Sequence, residues 1–417
     1  MSTRESGRGG TTRPIGTSRE GRWVLSVAPV ASHARRSLKF HIVGCVLLTA
    51  LVAACGSTPV ARPNVSAVPT TSASTGATPS TSSVALFAVV ETGANASQPG
   101  TVGIVGLDGY AKAKATFQPR VGPVVPDAYT PLQGVAQVVG TGVYYIDGAG
   151  TVRVLRVGSQ PQVVARFPLQ PTQEDIWFAV SPDGSRVVAG ILTLPALGPN
   201  VPGTGWPTLV GPWKFDLEMA VAGGQTTTLV HSESAYEPDD QNHGWKPMFP
   251  IGWTLSGPVV MEPAGVTSQN AWWGGALYVI DDTGKKIKQL GGNDCNSASI
   301  AAAGLIPCSV GTSNTVTVRD FGGAVVWATD VSGSTAWDVH VSPDAQAILN
   351  DRQVETKVGG MVHMASDFGT QGWLDPQTVL GRVQYTTTQG NLSWVGMGDP
   401  GTVHDLGFQG DFVAAIA

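Results

Sequence analysis

Few side chains in this sequence stand where their types and spacing could do chemistry. The densest group lies in Glu233 to His243, where Glu237, Asp239, Asp240 and His243 follow closely on His231. Hard carboxylate oxygens are the donors that calcium takes, so Glu237, Asp239 and Asp240 are candidate metal ligands. A solvated acidic loop is the plainer reading. Trp272-Trp273-Gly274-Gly275 sets two large aromatic side chains together. Trp272 and Trp273 are candidate ligand-binding residues for a sugar or a peptide; the alternative is one Trp packed in the core and one at a rim. His404-Asp405 could be half of an acid–base pair, but one such dipeptide carries almost no information. The sequence holds no Gly-x-Ser-x-Gly, no His-Glu-x-x-His, no phosphate-binding loop and no EF-hand pattern. No catalytic residue is assigned, and calcium is the one cofactor option the residues raise.

The amino-terminal segment fixes where such chemistry would happen. Arg35, Arg36 and Lys39 precede an apolar run from Ile42 to Ala54. As a helix that run spans roughly 20 Å, short of the ~30 Å hydrocarbon core of a bilayer. A signal-peptide core fits the length and the positive flank. The run ends Val52-Ala53-Ala54-Cys55, which resembles the lipobox of bacterial lipoproteins. The resemblance implies cleavage before Cys55, a diacylglyceryl group on its thiol and acylation of the new amino terminus. An ordinary uncleaved anchor containing Cys55 is the alternative. Residues 1–34 have no apolar periodicity, and a start at Val27 or Val30 would leave a signal of ordinary length. Arg35-Arg36-Ser37-Leu38-Lys39 also partly resembles a twin-arginine signal, although an ordinary basic flank explains it as well.

The four cysteines then sort by compartment. Cys45 lies in the signal and Cys55 is the lipidation site. Cys295 and Cys308 remain, and an isolated pair in an exported protein most often forms a disulfide. A zinc site would need two further ligands.

Composition bounds the elements that must position these residues. The chain of 417 residues is 42% hydrophobic and 13% charged, with 53 Gly and 29 Pro. It has apolar material for a large core, and it turns often. Long helices and coiled coils are excluded on that ground. Residues 1–54 carry eight Lys/Arg against two Asp/Glu, and the remainder 17 against 28. An acidic body argues against nucleic acid as a partner. The stretch 55–83, from the candidate lipidated Cys55 through Ser83, is almost wholly Ser, Thr, Pro, Ala, Gly and Val. It cannot bury enough surface to fold and reads as a disordered tether. As a coil it reaches roughly 30 Å.

Residues 84–417 repeat short β-type runs bounded by Gly, Pro, Asp and Asn. The clearest unit is Trp177-Phe178-Ala179-Val180-Ser181-Pro182-Asp183-Gly184, followed by the apolar run from Arg186. A second copy runs from Trp337 through Ser342-Pro343-Asp344. Degenerate copies begin at Trp253 and Trp373, and hairpins are expected at Asp108-Gly109, Asp147-Gly148, Gly223-Gly224, Thr283-Gly284 and Gly322-Gly323. This pattern resembles the WD40-like repeat of TolB-type β-propellers. The resemblance implies an all-β fold, a single β-propeller of four-stranded blades. The length of the body gives about seven blades, with six possible. The apolar strands at Val84–Val90 and Asp411–Ala417 are expected to pair and close the ring, since either would otherwise leave a sheet edge bare. A pair of β-sandwiches is the alternative fold.

Three segments result: a signal at 1–54, the lipidated Cys55 and its tether at 55–83, and a propeller at 84–417. They suit a lipoprotein held at the bilayer through acylated Cys55, on the extracytoplasmic face of the cell membrane. Its propeller would bind a protein or glycan partner without turnover. An extracytoplasmic enzyme, a glycan- or peptide-processing hydrolase or lyase, is the alternative, because propeller sites draw residues from several blades and need no linear motif.

Overall fold

Apolar runs separated by turn residues become strands throughout the body. The computed structural model describes residues 85–91, 98–120, 135–170, 173–200, 207–235, 246–263, 275–291, 304–309, 315–331, 339–350, 352–383 and 390–416. Among these residues there are strands and turns and no α-helix.

Blade one holds β1 (Leu86–Glu91), β2 (Gly100–Gly106) and β3 (Ala111–Phe117). Blade two is β4 (Ala136–Val139), β5 (Gly142–Ile146), β6 (Thr151–Leu155) and β7 (Gln162–Arg166). Blade three begins with β8 (Glu174–Val180) and β9 (Arg186–Thr193). A separate hairpin follows, β10 (Ala196–Asn200) and β11 (Pro207–Val210), before the blade resumes with β12 (Trp213–Val221) and β13 (Thr227–Ala235). Blade four is β14 (Phe249–Thr254), β15 (Gly257–Pro263), β16 (Gly275–Ile280) and β17 (Lys286–Gly291). Blade five shows β18 (Leu305–Ser309), β19 (Thr315–Asp320) and β20 (Val325–Asp330). Blade six is β21 (Val339–Val341), β22 (Ala347–Asn350), β23 (Gln353–Thr356) and β24 (Met361–His363). Blade seven is β25 (Phe368–Asp375), β26 (Thr378–Val383), β27 (Asn391–Gly396) and β28 (Asp399–Gln409). The last strand, β29 (Asp411–Ile416), returns to blade one in the order β29-β1-β2-β3. The body is a seven-bladed β-propeller. The expected pairing of first and last strands is present, with Leu86 opposite Ile416 and Val90 opposite Asp411.

Blade-to-blade packing explains why these strands read as apolar runs and not as alternating ones. Side chains alternate between the two faces of a strand, and here both faces meet a neighbouring blade. On β9, Val187, Ala189 and Ile191 pack toward blade two while Val188 and Leu192 pack toward blade four. On β1, Ala88 and Val90 join the interface with blade two, and Phe87 and Val89 join the one with blade seven. The core is accordingly divided into a cluster at each of the seven blade interfaces. The largest aromatic group lies between blades three and four, where Trp177 and Phe215 meet Phe249 edge-on at centroid distances of 4.6 and 5.1 Å.

The repeated turn works through its aspartate. Asp183 Oδ1 accepts from Ser181 Oγ (2.6 Å) and Ser185 N (3.0 Å), and Oδ2 accepts from Ser185 Oγ (2.7 Å). Gly184 takes φ 70°, which a residue without Cβ adopts at no steric cost. The second copy keeps the motif, with Ser342 Oγ donating to Asp344 Oδ1 at 2.7 Å. There Ala345 sits at φ 59° in place of the glycine.

The antiparallel order gives the ring two unlike faces. Turns joining first to second and third to fourth strands fall on one face, the turn face. Backbone bonds tie them together within a blade: Leu107 N to Ala85 O (3.2 Å), Ala222 N to Ser185 O (2.8 Å) and Lys357 N to Gln346 O (2.8 Å). Its connections are brief, as at 107–110, 140–141, 181–185, 255–256 and 376–377. Second-to-third connections and the links between blades fall on the opposite, connection face. Ile146, Thr193 and Ala235 end their strands there, and the β10–β11 hairpin leaves blade three from it. β1 starts and β29 ends on the turn face, so both ends of the ring, Ala85 and Ile416, lie there.

Candidate functional site

Ionisable side chains gather at the junction of blades three and four. His231 and Glu233 stand on β13, the outermost strand of blade three; Glu262 is near the end of β15; Lys246 leads into β14; Lys286 opens β17. His231 Nε2 lies 2.9 Å from Glu233 Oε1, and Lys246 N donates to Glu233 Oε2 at 2.7 Å. Lys246 Nζ is 3.5 Å from Glu262 Oε1, and Lys286 Nζ pairs with Glu262 Oε2. The Lys286 ammonium also lies over the Tyr278 ring, 4.5 Å from its centroid. Glu262 is buried, and a buried carboxylate needs such partners to stay ionised.

Electrostatics in this group oppose one another. Burial acts to raise the Glu233 carboxyl, but the His231 and Lys246 hydrogen bonds with the charge of Lys286 hold it below the ordinary value. Burial, helped by the like charge of Lys246, pushes the Lys286 ammonium below the ordinary lysine value against the pull of Glu233. Displaced acid and base groups set side by side are what proton-transfer and polar-ligand sites are made of.

A second concave feature lies between blades one and two, a cleft of about 540 Å³ lined by Lys114, Gln118, Asp147, Arg153 and Gln160 over the buried Tyr145. Asp147 holds the 147–150 turn by accepting from Ala149 N and Thr151 N, and its Oδ2 stands 3.5 Å from Arg153 Nε. Burial raises the Tyr145 hydroxyl above its ordinary value.

Toward the axis, polar side chains of the innermost strands are engaged in binding the ring together. Gln137 on β4 accepts from Val180 N of β8 at 3.0 Å. Trp373 Nε1 on β25 donates to His340 O of β21 at 3.1 Å. Asp175 on β8 is buried and pairs with Arg120.

The residues singled out in the sequence fall unevenly on this frame. Cys55, Trp272, Trp273, Glu237, Asp239, Asp240, His243 and Cys295 lie outside the described residues. Cys308 is fully buried on β18, in the cluster between blades four and five. His231 belongs to the charged junction. His404 is stacked on Trp394 at 4.0 Å, and Asp405 is engaged by Asn391 Nδ2 and Gly407 N. The dipeptide is thus taken up by local packing and turn bonds. Among the described residues no three His, Cys, Asp or Glu side chains are grouped to hold a metal ion. Sequence reasoning missed Lys246, Glu262 and Lys286, whose partnership crosses strands and blades and leaves no linear spacing to read.

No protein-family model matches the chain, and neither does any curated protein sequence. Solved structures with similar folds include the oligogalacturonate lyase of Vibrio parahaemolyticus, at 8% identity and TM-score 0.39, covering 72% of this chain and 88% of that one. A candidate TolB from Agrobacterium tumefaciens matches at 13% identity and TM-score 0.33, covering 79% and 91%. Dipeptidyl peptidase 4 of Porphyromonas gingivalis matches at 10% identity and TM-score 0.39, covering 75% and 49%. Likenesses of this degree carry no argument about activity.

Proposed function

We propose that this chain is an extracytoplasmic lipoprotein, anchored through acylated Cys55, whose propeller binds a protein or envelope glycan without turning it over. The observation that supports the reading is the inequality of the two faces. The ring's own ends leave from the turn face, and Ala235 and Pro263, the described residues that precede the segments bearing Glu237 to His243 and Trp272-Trp273, end their strands on the opposite face. A ring tethered from one side offers the other to a partner, and accessible aromatic residues there supply binding energy. Replacing Trp272 and Trp273 by Ala should weaken partner capture from envelope extracts several-fold with an unchanged melting temperature. Unchanged capture by a folded double variant rejects these residues as anchors. Calcium at Glu237, Asp239 and Asp240 belongs to the same proposal, and isothermal titration of the full chain with calcium tests it.

A second reading, an extracytoplasmic glycan- or peptide-processing enzyme, is favoured by one observation, the displaced Lys286 and Glu233 at the blade three–four junction. Turnover of a glycan or peptide library that is lost in a folded Lys286→Met variant would establish it in place of binding alone.

A further inference from the structure

Blades one and two do not fill the space between their outer strands. β3 turns Ala113 and Ala115 toward blade two, and only Phe117 at its end reaches the Tyr145 ring, with centroids 5.8 Å apart. Such short side chains leave the cleft of about 540 Å³, which follows β3 from Lys114 to Gln118, roughly 13 Å of strand. Its volume lies in the range of small-molecule sites. Gly148 N donates to Gln118 O at 2.8 Å and bridges the two blades at one end of the cleft.

Two donors in this cleft lack hydrogen-bond partners among the described residues. Tyr145 is 1% exposed and lines the floor. The charges of Arg153 and Asp147 both reach its hydroxyl, and it is hydrogen-bonded to neither. A buried hydroxyl left unpaired costs stability, so its retention calls for a reason other than the fold. Arg153 stands directly opposite Tyr145 in the β5–β6 pair, where antiparallel partners share a face. Its Nε faces Asp147 Oδ2 at 3.5 Å, and its two terminal nitrogens make no hydrogen bond among the described residues. The other half-buried arginines each commit a terminal nitrogen: Arg156 to Tyr144, Arg186 to Asp282, Arg319 to Gly323 O, Arg382 to Asp411 and Arg120 to Asp175.

The remaining lining agrees with an anionic occupant. Asp147 Oδ1 is taken by Ala149 N and Thr151 N. Two cations, Lys114 and Arg153, stand in the lining against that one carboxylate, in a body where acidic side chains predominate. A guanidinium with both terminal nitrogens free matches a planar carboxylate, and the Tyr145 hydroxyl is a third donor on the same face. Thr116, Gln118 and Gln160 line the rest with groups that both donate and accept, which suits hydroxyls.

We propose that the cleft between blades one and two binds a small hydroxylated carboxylic acid, a sugar acid in chemical class, with its carboxylate on Arg153 and the Tyr145 hydroxyl. The site uses none of the residues of the partner-binding reading above, and neither reading depends on the other.

Isothermal titration of the full chain with D-glucuronate tests it. Wild-type protein should bind this probe, and D-glucose, which lacks the carboxylate, should bind at least about tenfold more weakly. Arg153→Gln should weaken glucuronate binding about tenfold or more, and Arg153→Lys, which keeps the charge and loses the fork, by a smaller factor. Tyr145→Phe should weaken it about three- to tenfold. Because that variant removes an oxygen with no partner, its melting temperature without ligand should equal or exceed that of wild type. A lower one would assign the hydroxyl to the fold and overturn the proposal. Absence of glucuronate binding, equally tight glucose binding, or full affinity in folded Arg153 and Tyr145 variants overturns it as well. So does inorganic phosphate that binds more tightly than glucuronate and displaces it, since the cleft would then be a phosphate site.

Discussion

Gln371 on β25 grips Asp411 and its neighbour on β29 with both ends of one carboxamide. Its Nε2 donates to Asp411 Oδ1 at 2.9 Å and its Oε1 accepts from Phe412 N at 2.8 Å. Arg382 of β26 adds a charged contact to the same Asp411 oxygen at 2.6 Å. The closing strand is thereby held from blade seven as well as from β1. Gln371→Ala strips both hydrogen bonds and leaves the half-buried Phe412 N without its acceptor. It should cost about 1–2 kcal/mol and lower the denaturation midpoint measured by tryptophan fluorescence. A midpoint equal to wild type would show that β1 alone secures the closure.

Ala345 and Gly184 occupy equivalent turn positions at φ 59° and 70°. An L side chain in the left-handed region costs about 1–2 kcal/mol, partly offset by the greater unfolded-state freedom of glycine. Ala345→Gly should therefore stabilise the protein by about 0.5–1 kcal/mol, seen as a higher melting temperature. The reverse change, Gly184→Ala, should destabilise it, since a Cβ there would stand 2.3 Å from the Tyr144 hydroxyl.

Hydrogen bonds from Ser181 Oγ and from Ser185 N and Oγ hold the Asp183 carboxyl down to about 2. Its unfolded value is about 3.9. Because the folded value is the lower one, the stability it contributes is complete above the unfolded value and is lost as pH falls through the folded one. Asp183→Ala should melt below wild type at pH 7, and the gap should narrow as pH is brought from 4 toward 2. A gap that stays constant over that range would assign the loss to packing.

Cys308 is completely buried among Ile251, Leu277 and Ile306. The proposed bond to Cys295 predicts no reactive thiol at either position in denatured, unreduced mature protein. Two reactive thiols would remove the bond from the account. Closing a loop of this length contributes about 2–3 kcal/mol, so reduction should lower the unfolding midpoint accordingly.

The sequence by itself determined the turns, the strands and their ring. Ser181-Pro182-Asp183-Gly184 carries its own hydrogen-bond partners within a few residues, and local chemistry of that kind is written in order along the chain. The apolar run after Arg186 announced a strand, and the two apolar terminal strands announced their own pairing; that both faces of such strands are buried came from the blade-to-blade packing. Only the tertiary structure decided what spans blades. Glu262 meets Lys246 and Lys286 because neighbouring sheets bring β15, β17 and the lead-in to β14 together. Gln371 reaches Asp411 because the last strand is laid innermost beside blade seven. Along the chain Tyr110, Leu255 and Val358 are isolated residues in separate turns; they share a surface because antiparallel order returns every such turn to the same side of the ring.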